Sequence, residues 1–498
     1  MITLKVKDVD IASGGSYIAI INQEDARKLD LFALDRIKIK KGRKEVIAAV
    51  DIAESEKAVP KGQIGLFEEI LDVLNIKNGA RGAYVQISFV EKPESVSYIK
   101  KKLDGKHLEE NEIRAIIQDI VNNNLSQIEI SFFVSGCYTK GLDTDETLNL
   151  IKAIVETGGQ LDTGKVIVMD KHCSGGVPNN RTTMLIVPIV AAAGITIPKT
   201  SSRSITSPAG TADTMEVLAP VTLPIQKMKS VIKKTNGCIV WGGSMSLAAA
   251  DDKMIKIRYP LSLDPTGLLL ASIISKKRAV HASHVLIDLP IGNHTKIKTR
   301  HQAEILKKEF LSIGREINMK MKVIFTDGSQ PIGNGVGPLL EARDVLWILK
   351  GDKKGPDDLR KKALFMAKEL LEMAGMKNAG KTAKDILDSG KAFSKMVEIV
   401  EAQGGKMQNP DMMRLADFSF EAKAAKSGKV RHINNLFISK VARIAGAPQD
   451  KDAGLYIYKH VGAKVQKGEP LYTVYSCSKE KLHHAVRFAK SNEVYGID

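Results

Sequence analysis

Apolar and polar positions alternate from the start of the chain to about residue 90. Ile2, Leu4, Val6 and Val9 are followed by Tyr17–Ile21, Ile37–Ile39, Val46–Val50 and Tyr84–Phe89, with polar, Gly-bearing turns at Ser13–Ser16 and Lys40–Arg43. Such alternation, broken by turns, predicts a small β barrel or sandwich over residues 1–90, with short helices at Gln23–Leu29 and Leu66–Leu74. No cluster of catalytic residue types falls here, so this part reads as a structural or assembly module. Near residue 92 the period becomes helical. A helix from Leu108 carries Ile113, Ile116, Ile117, Ile120 and Val121 on one face. Ser126–Val134 reads as a second helix. Asp143 and Glu146 are spaced as a capping box opening a third, which carries Leu148, Ile151 and Val155. Residues 91–165 are therefore expected to form a helical domain.

From residue 166 short apolar runs alternate with helical stretches. Strands are expected at Val166–Met169, Ile195–Pro198, Ile239–Trp241, Val285–Asp288 and Met321–Thr326, with a buried helix at Thr182–Ala193. Further helices are expected at Glu341–Lys350, Asp357–Ala374, Lys381–Ser389 and Lys391–Gln403. Strands alternating with helices predict a mostly parallel sheet. This α/β domain is assigned to residues 166–425, part of it open to packing with the helical domain. Gly454–His460, a turn at Lys464–Gly468 and Pro470–Tyr475 predict an α+β domain over residues 426–498. The fold class is thus multidomain α/β: a small N-terminal β domain, a helical domain, a central mostly parallel α/β domain and a C-terminal α+β domain.

Two polar loops follow the first two strands of the central domain. The first, Asp170–Asn180, holds Lys171, His172, Ser174, Gly175 and Gly176. The second runs from Ser201 to Thr211 and holds six hydroxyls and one Arg within eleven residues. In an open α/β sheet such loops lie at the carboxyl ends of the strands, where ligands bind. Helix N-termini there favour anions, phosphate above all. Each charge-assisted bond to phosphate contributes about 1.5–3 kcal/mol. Taken alone, the first loop reads equally well as a tight turn with a surface lysine, and the second as a set of turns and caps, though the Arg within it turns that reading toward phosphate. Ser272 and Lys276 are spaced i, i+4 late in a helix starting near Pro265, so they share a face. Asp264, just before that helix, reads on its own as an N-cap. GMKNAGKT at 375–382 matches a phosphate-loop pattern, but it follows a helical stretch where that loop requires a strand. Gly375 reads there as a helix C-cap.

Composition changes this picture little. The net charge is +17, from 74 Lys and Arg against 57 Asp and Glu, spread along the chain with no dense basic tail. That fits a Lys-rich solvated surface with local anion sites, and nucleic acid is not an expected partner. Cys137, Cys173, Cys238 and Cys477 lie far apart in sequence, so neither a disulfide framework nor a zinc site is expected. The first residues are charged, and the longest apolar run, Met184–Ile195, is too short to span a bilayer. No membrane association and a cytoplasmic location are expected.

DKHCSGGV at 170–177, the stretch from Ser201 to Glu216 and ASIISKK at 271–277 resemble the pyrimidine-nucleoside/thymidine phosphorylase family over roughly residues 95–495. The family signature has the form SGRG-L-x-x-TGGT-x-D-x-x-E. Arg203, Gly210, Thr211, Asp213 and Glu216 keep their places in it, while Ser202 and Ser204 stand where the family has glycine. Cys173 likewise stands where KHSTGGVGD has serine. These departures, with the extra N-terminal β domain, resemble the archaeal branch of the family, the AMP phosphorylases, which cleave nucleoside 5′-monophosphates. The resemblance implies phosphorolysis of AMP to adenine and ribose 1,5-bisphosphate, with CMP and UMP as further substrates.

It also implies that Lys171, Thr182, Ser201 and Thr211 hold phosphate. Gly176, Ser202, Arg203, Ser204, Ile205, Thr206, Ser207, Thr211, Ser272 and Lys296 are the implied nucleotide contacts, and Arg258 and Lys276 border the base. Asp264 is the implied general acid. No metal or other cofactor is implied, inorganic phosphate being a co-substrate. The expected assembly is a homodimer or larger homo-oligomer. Base preference stays open between purine and pyrimidine. A thymidine or pyrimidine-nucleoside phosphorylase, with the same fold and chemistry, is the alternative reading. A basic nucleic-acid-binding protein is a more distant one. Anthranilate phosphoribosyltransferases share the helical-plus-α/β arrangement, but the acidic metal-binding pair they need is not evident.

Overall fold

The computed structural model describes residues 2–76, 82–204, 207–245, 247–261 and 263–498. The chain divides into two compact units, Met1–Thr157 with Ala249–Ala271, and Gly158–Ala248 with Ser272–Asp498.

The first unit opens with a closed barrel. Its strands are β1 (Ile2–Asp8), β2 (Ile18–Asn22), β3 (Arg36–Lys41), β4 (Lys44–Ala53), β5 (Gln63–Leu66) and β6 (Tyr84–Phe89), in the order β1-β5-β2-β4-β3-β6. Alternate residues fill it: Leu4 and Val6, Ile37 and Ile39, and Val46, Ala48 and Val50. β1 with β5 and β2 with β4 run parallel, so the barrel is not a simple meander. The short helices α1 (Gln23–Lys28) and α2 (Glu68–Val73) connect strands. Next come α3 (Ser95–Leu103), α4 (Glu110–Val121), α5 (Gln127–Lys140) and α6 (Thr144–Glu156). Capping boxes open α5 (Ser126, Glu129) and α6 (Asp143, Glu146), which sets where both begin. A buried ion pair, Lys102 to Glu146 at 2.7 Å, ties α3 to α6.

Ala249–Ala271 joins this unit from far along the chain. Lys253 explains how: its ammonium donates to Ile120 O (2.7 Å), Val121 O (2.9 Å) and Asn123 Oδ1 (2.6 Å), capping the C-terminal end of α4. Lys256 donates to Gly14 O at 3.1 Å.

The second unit is built on β7 (Met169–Cys173), α7 (Thr182–Ala192), β8 (Ile197–Ser201), α8 (Thr211–Met215), α9 (Ile225–Thr235) and β9 (Gly237–Trp241). The chain then passes through α10 (Ala249–Arg258) and α11 (Thr266–Arg278), and continues with β10 (His284–Ile291), α12 (Arg300–Glu316) and β11 (Lys320–Asp327). Ladders β11-β10-β7 and β8-β9 are wholly parallel, and a parallel bridge joins Val168 to Thr196 beside them. From β7 the chain builds outward first through β8 and β9, then on the other side through β10 and β11. β7 is thus the point where strand order reverses, and the loop after it lies where open α/β sheets bind ligands.

Two strands begin later than their hydropathy predicts. Val166–Met169 was the expected first strand, yet Val166 is 90% exposed, and the paired residues are Met169–Cys173 against His284–Asp288. β8 is Ile197–Ser201 in place of Ile195–Pro198. Both shifts bring charged residues, Asp170, Lys171 and Lys199, into buried strand positions. Their partners come from distant segments, so local hydropathy hides them.

After β12 (Gly335–Val336) come α13 (Pro338–Lys350), α14 (Asp357–Met373), α15 (Ala379–Asp388) and α16 (Lys391–Gln403), which pack with α7 into one apolar core. Gly375 has a φ of +82°, its N–H donates to Glu372 O (2.9 Å), and Met376 N–H donates to Leu371 O (3.0 Å). That is a helix C-terminal motif, so the GMKNAGKT stretch joins two helices. The C-terminal elements are β13 (Phe418–Lys423), β14 (Gly428–Ile433), α17 (Asn435–Ile444), β15 (Gly454–Ile457), β16 (Lys464–Val465), β17 (Pro470–Ser476), α18 (Lys479–Ser491) and β18 (Tyr495–Ile497). Their sheets are β12-β15-β17-β13 and β16-β14-β18, so one reaches back before residue 426 for β13 and to Gly335–Val336 for its edge. Among the described residues no helix is long and apolar enough to cross a membrane.

Candidate active site

Lys171 is the centre of the second unit's polar site. It lies in β7, is buried, and its ammonium donates to Thr182 Oγ1 at 3.1 Å. Thr182 is the first residue of α7, whose N-terminal N–H groups favour an anion. Burial pushes Lys171 below the ordinary lysine value; Cys173 and Asp288 oppose the shift, and Lys362 and Arg181 add to it. An anion beside this ammonium relieves that desolvation. In the same loop Ser174 Oγ is buried with no hydrogen-bond partner among the described residues. Cys173 occupies the serine position of the family pattern; burial raises its thiol to about 11, so it stays protonated near neutral pH. Gly176 has a φ of +91°, and a Cβ there would lie 2.6 Å from Thr295 Cα. The close neighbour that excludes a side chain is therefore the loop carrying Lys296.

Beneath these residues lies a layer of buried charge. Asp170 receives Lys277 at 2.7 Å and faces Lys199 at 3.3 Å. Asp288 takes Thr326 Oγ1 at 2.6 Å and faces Lys362, from α14, at 3.3 Å. His172 is held well below the usual histidine value by burial, then by Lys277, Lys199, Lys171 and Lys276. Its imidazole is neutral at neutral pH. Asn179 Nδ2 donates to Asp344 at 2.7 Å, and Asp344 also accepts from the N–H groups of Asn334 and Gly335, anchoring the end of the first loop.

The second loop is closed on itself. Arg203 donates to Glu216 at 2.8 and 2.5 Å and to Asp213 at 3.2 Å, and lies 5.1 Å from the Trp241 ring. Asp213 in turn accepts from the N–H groups of Ser204 (2.7 Å) and Gly210 (2.8 Å). A Cβ on Gly210 would lie 2.5 Å from Ser202 O and 2.7 Å from Arg203 C, so only glycine fits. Ser204 donates to Ser207 O, and Ser207 to Ala209 O at 2.9 Å. Ser201 is half-buried at the end of β8, and Ser202 is exposed. Ile205 and Thr206 lie outside the described residues. Arg203 thus shapes the loop, its charge committed to two carboxylates. Thr211 begins α8 and accepts from Arg181 at 2.8 Å.

Arg181 was not legible as a site residue. Its guanidinium holds Glu341, Thr211 Oγ1 and Ala209 O (2.7 Å), and so fastens the first loop to the second. Glu341 lies on α13, and no local spacing announces that pairing. Lys199, Lys277, Asp288 and Lys362 were missed for the same reason. Ser272 is buried in α11, Lys276 is half-buried one turn on, and Lys296 is exposed.

In the first unit, Asp264 lies on the segment entering α11, 35% exposed. Nη1 of Arg258 is 3.9 Å from Asp264 Oδ1, and Nη2 is 3.7 Å from Asp251 Oδ1.

Residues 96–158 match the helical bundle domain of the glycosyl transferase family, residues 165–393 match its a/b domain, and residues 429–496 match the pyrimidine nucleoside phosphorylase C-terminal domain. The chain is 45% identical to a Thermococcus kodakarensis protein named AMP phosphorylase, covering 99% of this chain and 97% of that protein. It is 41% identical to a Methanococcus maripaludis protein of the same name, covering 98% and 96%. A Legionella pneumophila protein provisionally named thymidine phosphorylase is 44% identical, over 90% of this chain and 86% of that one. Among solved structures, anthranilate phosphoribosyltransferase from Thermus thermophilus shares the fold, with a TM-score of 0.51 and 17% identity over 61% of this chain and 98% of that one.

Proposed function

Because the chain belongs to the thymidine/pyrimidine-nucleoside phosphorylase family, we propose that it is a phosphorylase of nucleoside 5′-monophosphates, converting AMP and phosphate to adenine and ribose 1,5-bisphosphate. CMP and UMP are further substrates in this reading. The observation that carries it is Lys171: a buried ammonium, 3.1 Å from the hydroxyl that opens α7, in a loop where the buried hydroxyl of Ser174 has no hydrogen-bond partner among the described residues. That arrangement suits a small tetrahedral anion.

Phosphate, held by Lys171, Thr182, Ser201 and Thr211, attacks C1′ from the face opposite the base. The C1′–N bond breaks and its electron pair leaves with the base. Asp264 gives that base a proton, a step worth about 10²- to 10⁴-fold in rate. His172, neutral among its lysines, is not a cationic donor. Gly176, Ser272 and Lys296 contact the nucleotide, and Lys276 borders the base. The 5′-phosphate meets the second loop, where Ser202 and Ser204 stand in place of family glycines. Ser204 then exchanges its bond to Ser207 O for one to phosphate. Displacement at C1′ by phosphate needs a nucleophile and an acid, so no metal or redox cofactor is assigned; an unchanged rate after EDTA dialysis tests this. A homodimer or larger assembly and a cytoplasmic location complete the proposal, the former tested by light scattering.

The decisive assay is phosphate-dependent release of free base from AMP, run beside adenosine, thymidine and UMP. Release from AMP and not adenosine supports the reading. Release from thymidine alone leaves the fold, turns the assignment to a nucleoside phosphorylase, and removes the role given to Ser202 and Ser204.

A further inference from the structure

Lys171, Cys173, Asp288 and Thr326 share one face of the parallel sheet. Across β7 and β10, Lys171 pairs with Leu286 and Cys173 with Asp288; across β10 and β11, Asp288 pairs with Ile324 and Pro290 with Thr326. Alternate residues of a strand share a face, so these four side chains form one polar row. Asp288 is fully buried, and its carbonyl accepts from the N–H of Ser174, in the first loop, at 3.0 Å. Its Oδ1 accepts from Thr326 Oγ1 at 2.6 Å. Its Oδ2 faces Nζ of Lys362, from α14, at 3.3 Å, and both atoms are buried and make no hydrogen bond among the described residues. Burial opposes ionisation of Asp288, yet Lys362 first, then Lys171, Thr326 and Cys173, hold the carboxyl below its ordinary value. Two ammonium groups therefore share one carboxylate. Arg181, the other cation acting on Lys171, is committed to Glu341. One buried positive charge is left over, and an anion completes it.

We propose that Lys362 is a positioning residue for phosphate: by holding Asp288 it keeps the ammonium of Lys171 free for the anion. The inference rests on the reading of Lys171 as the cation that binds phosphate. Asp288 and phosphate compete for that one ammonium. With Lys362 in place the carboxylate is compensated from the α14 side, and Lys171 keeps its aim at Thr182 and the N-terminus of α7. An ammonium has three donors, so the bond to Thr182 leaves others for phosphate. Without Lys362, Asp288 is a buried carboxylate whose remaining cation is Lys171. An uncompensated buried charge is unfavourable enough to draw that ammonium across. Phosphate then loses its charge-assisted donor. Lys362 thus sets phosphate affinity without touching the anion.

The test titrates the full chain with inorganic phosphate in a calorimeter, using K171M, K362M, D288N and D288N/K362M. K362M is expected to weaken phosphate binding about tenfold or more, the scale of one charge-assisted bond. In steady-state assays its KM for phosphate should rise by the same factor, with the KM for AMP little changed. D288N removes the competitor, so D288N/K362M is expected to bind phosphate as D288N does, within about twofold. An equal loss on adding K362M to the native protein and to D288N makes Lys362 a direct ligand of the anion and overturns the proposal. So does a K362M protein with fewer binding-competent molecules but native affinity, the mark of a merely structural lysine. If K171M binds phosphate as the native protein does, the reading of Lys171 falls and the proposal with it. If K171M is weakened and K362M is not, the proposal alone falls. Should K362M fail to fold, the comparison of D288N with D288N/K362M decides by itself.

Discussion

The ammonium of Lys277, in the last turn of α11, lies 2.7 Å from Oδ2 of Asp170, the residue before Lys171, with the two side chains 2% and 0% exposed. One buried ion pair therefore fixes the strand that presents Lys171 against the helix that presents Ser272 and Lys276. Removing one partner leaves a buried carboxylate undercompensated. K277M is expected to destabilise the protein by about 3–5 kcal/mol, reduced to the extent that Lys199, 3.3 Å from Asp170, takes over. D170N/K277M should recover much of the loss in urea denaturation.

In the proposed reaction, phosphate affinity should depend most on Lys171. K171M removes a charge-assisted donor worth about 1.5–3 kcal/mol, so the KM for phosphate should rise about 10- to 150-fold. Arginine is not an equivalent replacement in a buried site shaped for a point charge 3.1 Å from Thr182. Initial rates against phosphate for K171M and K171R check both statements.

Gly210 is required by space and not by its backbone angle. A Cβ there would lie 2.5 Å from Ser202 O and 2.7 Å from Arg203 C, and backbone atoms do not step aside. G210A should raise the KM for AMP about tenfold or more, since misplaced groups cost rates and affinities of that order. Ala212 and Met215, just downstream, belong to the apolar core, so Tm should fall as well. Steady-state kinetics and a thermal melt on the same preparation separate the two.

Acid should loosen the second loop through Glu216. Its hydrogen bonds from Arg203, then Lys451, hold its carboxyl at about 2, below the ordinary 4.5. The folded state thus binds fewer protons than the unfolded chain between those values. The stabilising contribution is full above pH 4.5 and is lost as pH falls toward 2. In E216Q that increment disappears, so the Tm difference between the native protein and E216Q should shrink steadily from pH 5 to pH 2.5.

The GMKNAGKT stretch should bind no nucleoside triphosphate. Lys381 is 80% exposed and pairs with Asp385 one turn on, while Gly375 ends a helix. K381M should leave phosphorolysis unchanged, and titration with ATP should show no difference between K381M and the native protein at that stretch by chemical-shift mapping.

Hydrophobic period predicted a small β domain, barrel or sandwich, at the start and a mostly parallel sheet later, while capping-box spacing at Asp143 and Glu146 and a glycine after a helical run marked the start of α6 and the turn at Gly375. Each of these is written in contacts between residues close in sequence, or in a repeat that needs no partner to be seen. Ser201–Thr211 and Lys171 stood out because hydroxyls and cations crowd a strand-to-helix turn. Tertiary structure alone decided which charges are buried. Asp170 and Lys171 read as loop residues and Lys199 lay just past a predicted strand; all three are buried strand residues because Lys277, Asp288 and Lys362 arrive from elsewhere in the chain and Lys199 faces Asp170. Arg203 read as a ligand contact and is occupied by Glu216 and Asp213, while Arg181, unremarked in the sequence, ties both loops to Glu341. The physical reason is one of distance and dielectric. A lone charge is read as exposed because burying it costs several kcal/mol, and its compensating partner, 107 residues on in the case of Asp170 and Lys277, comes within reach only after the chain has folded.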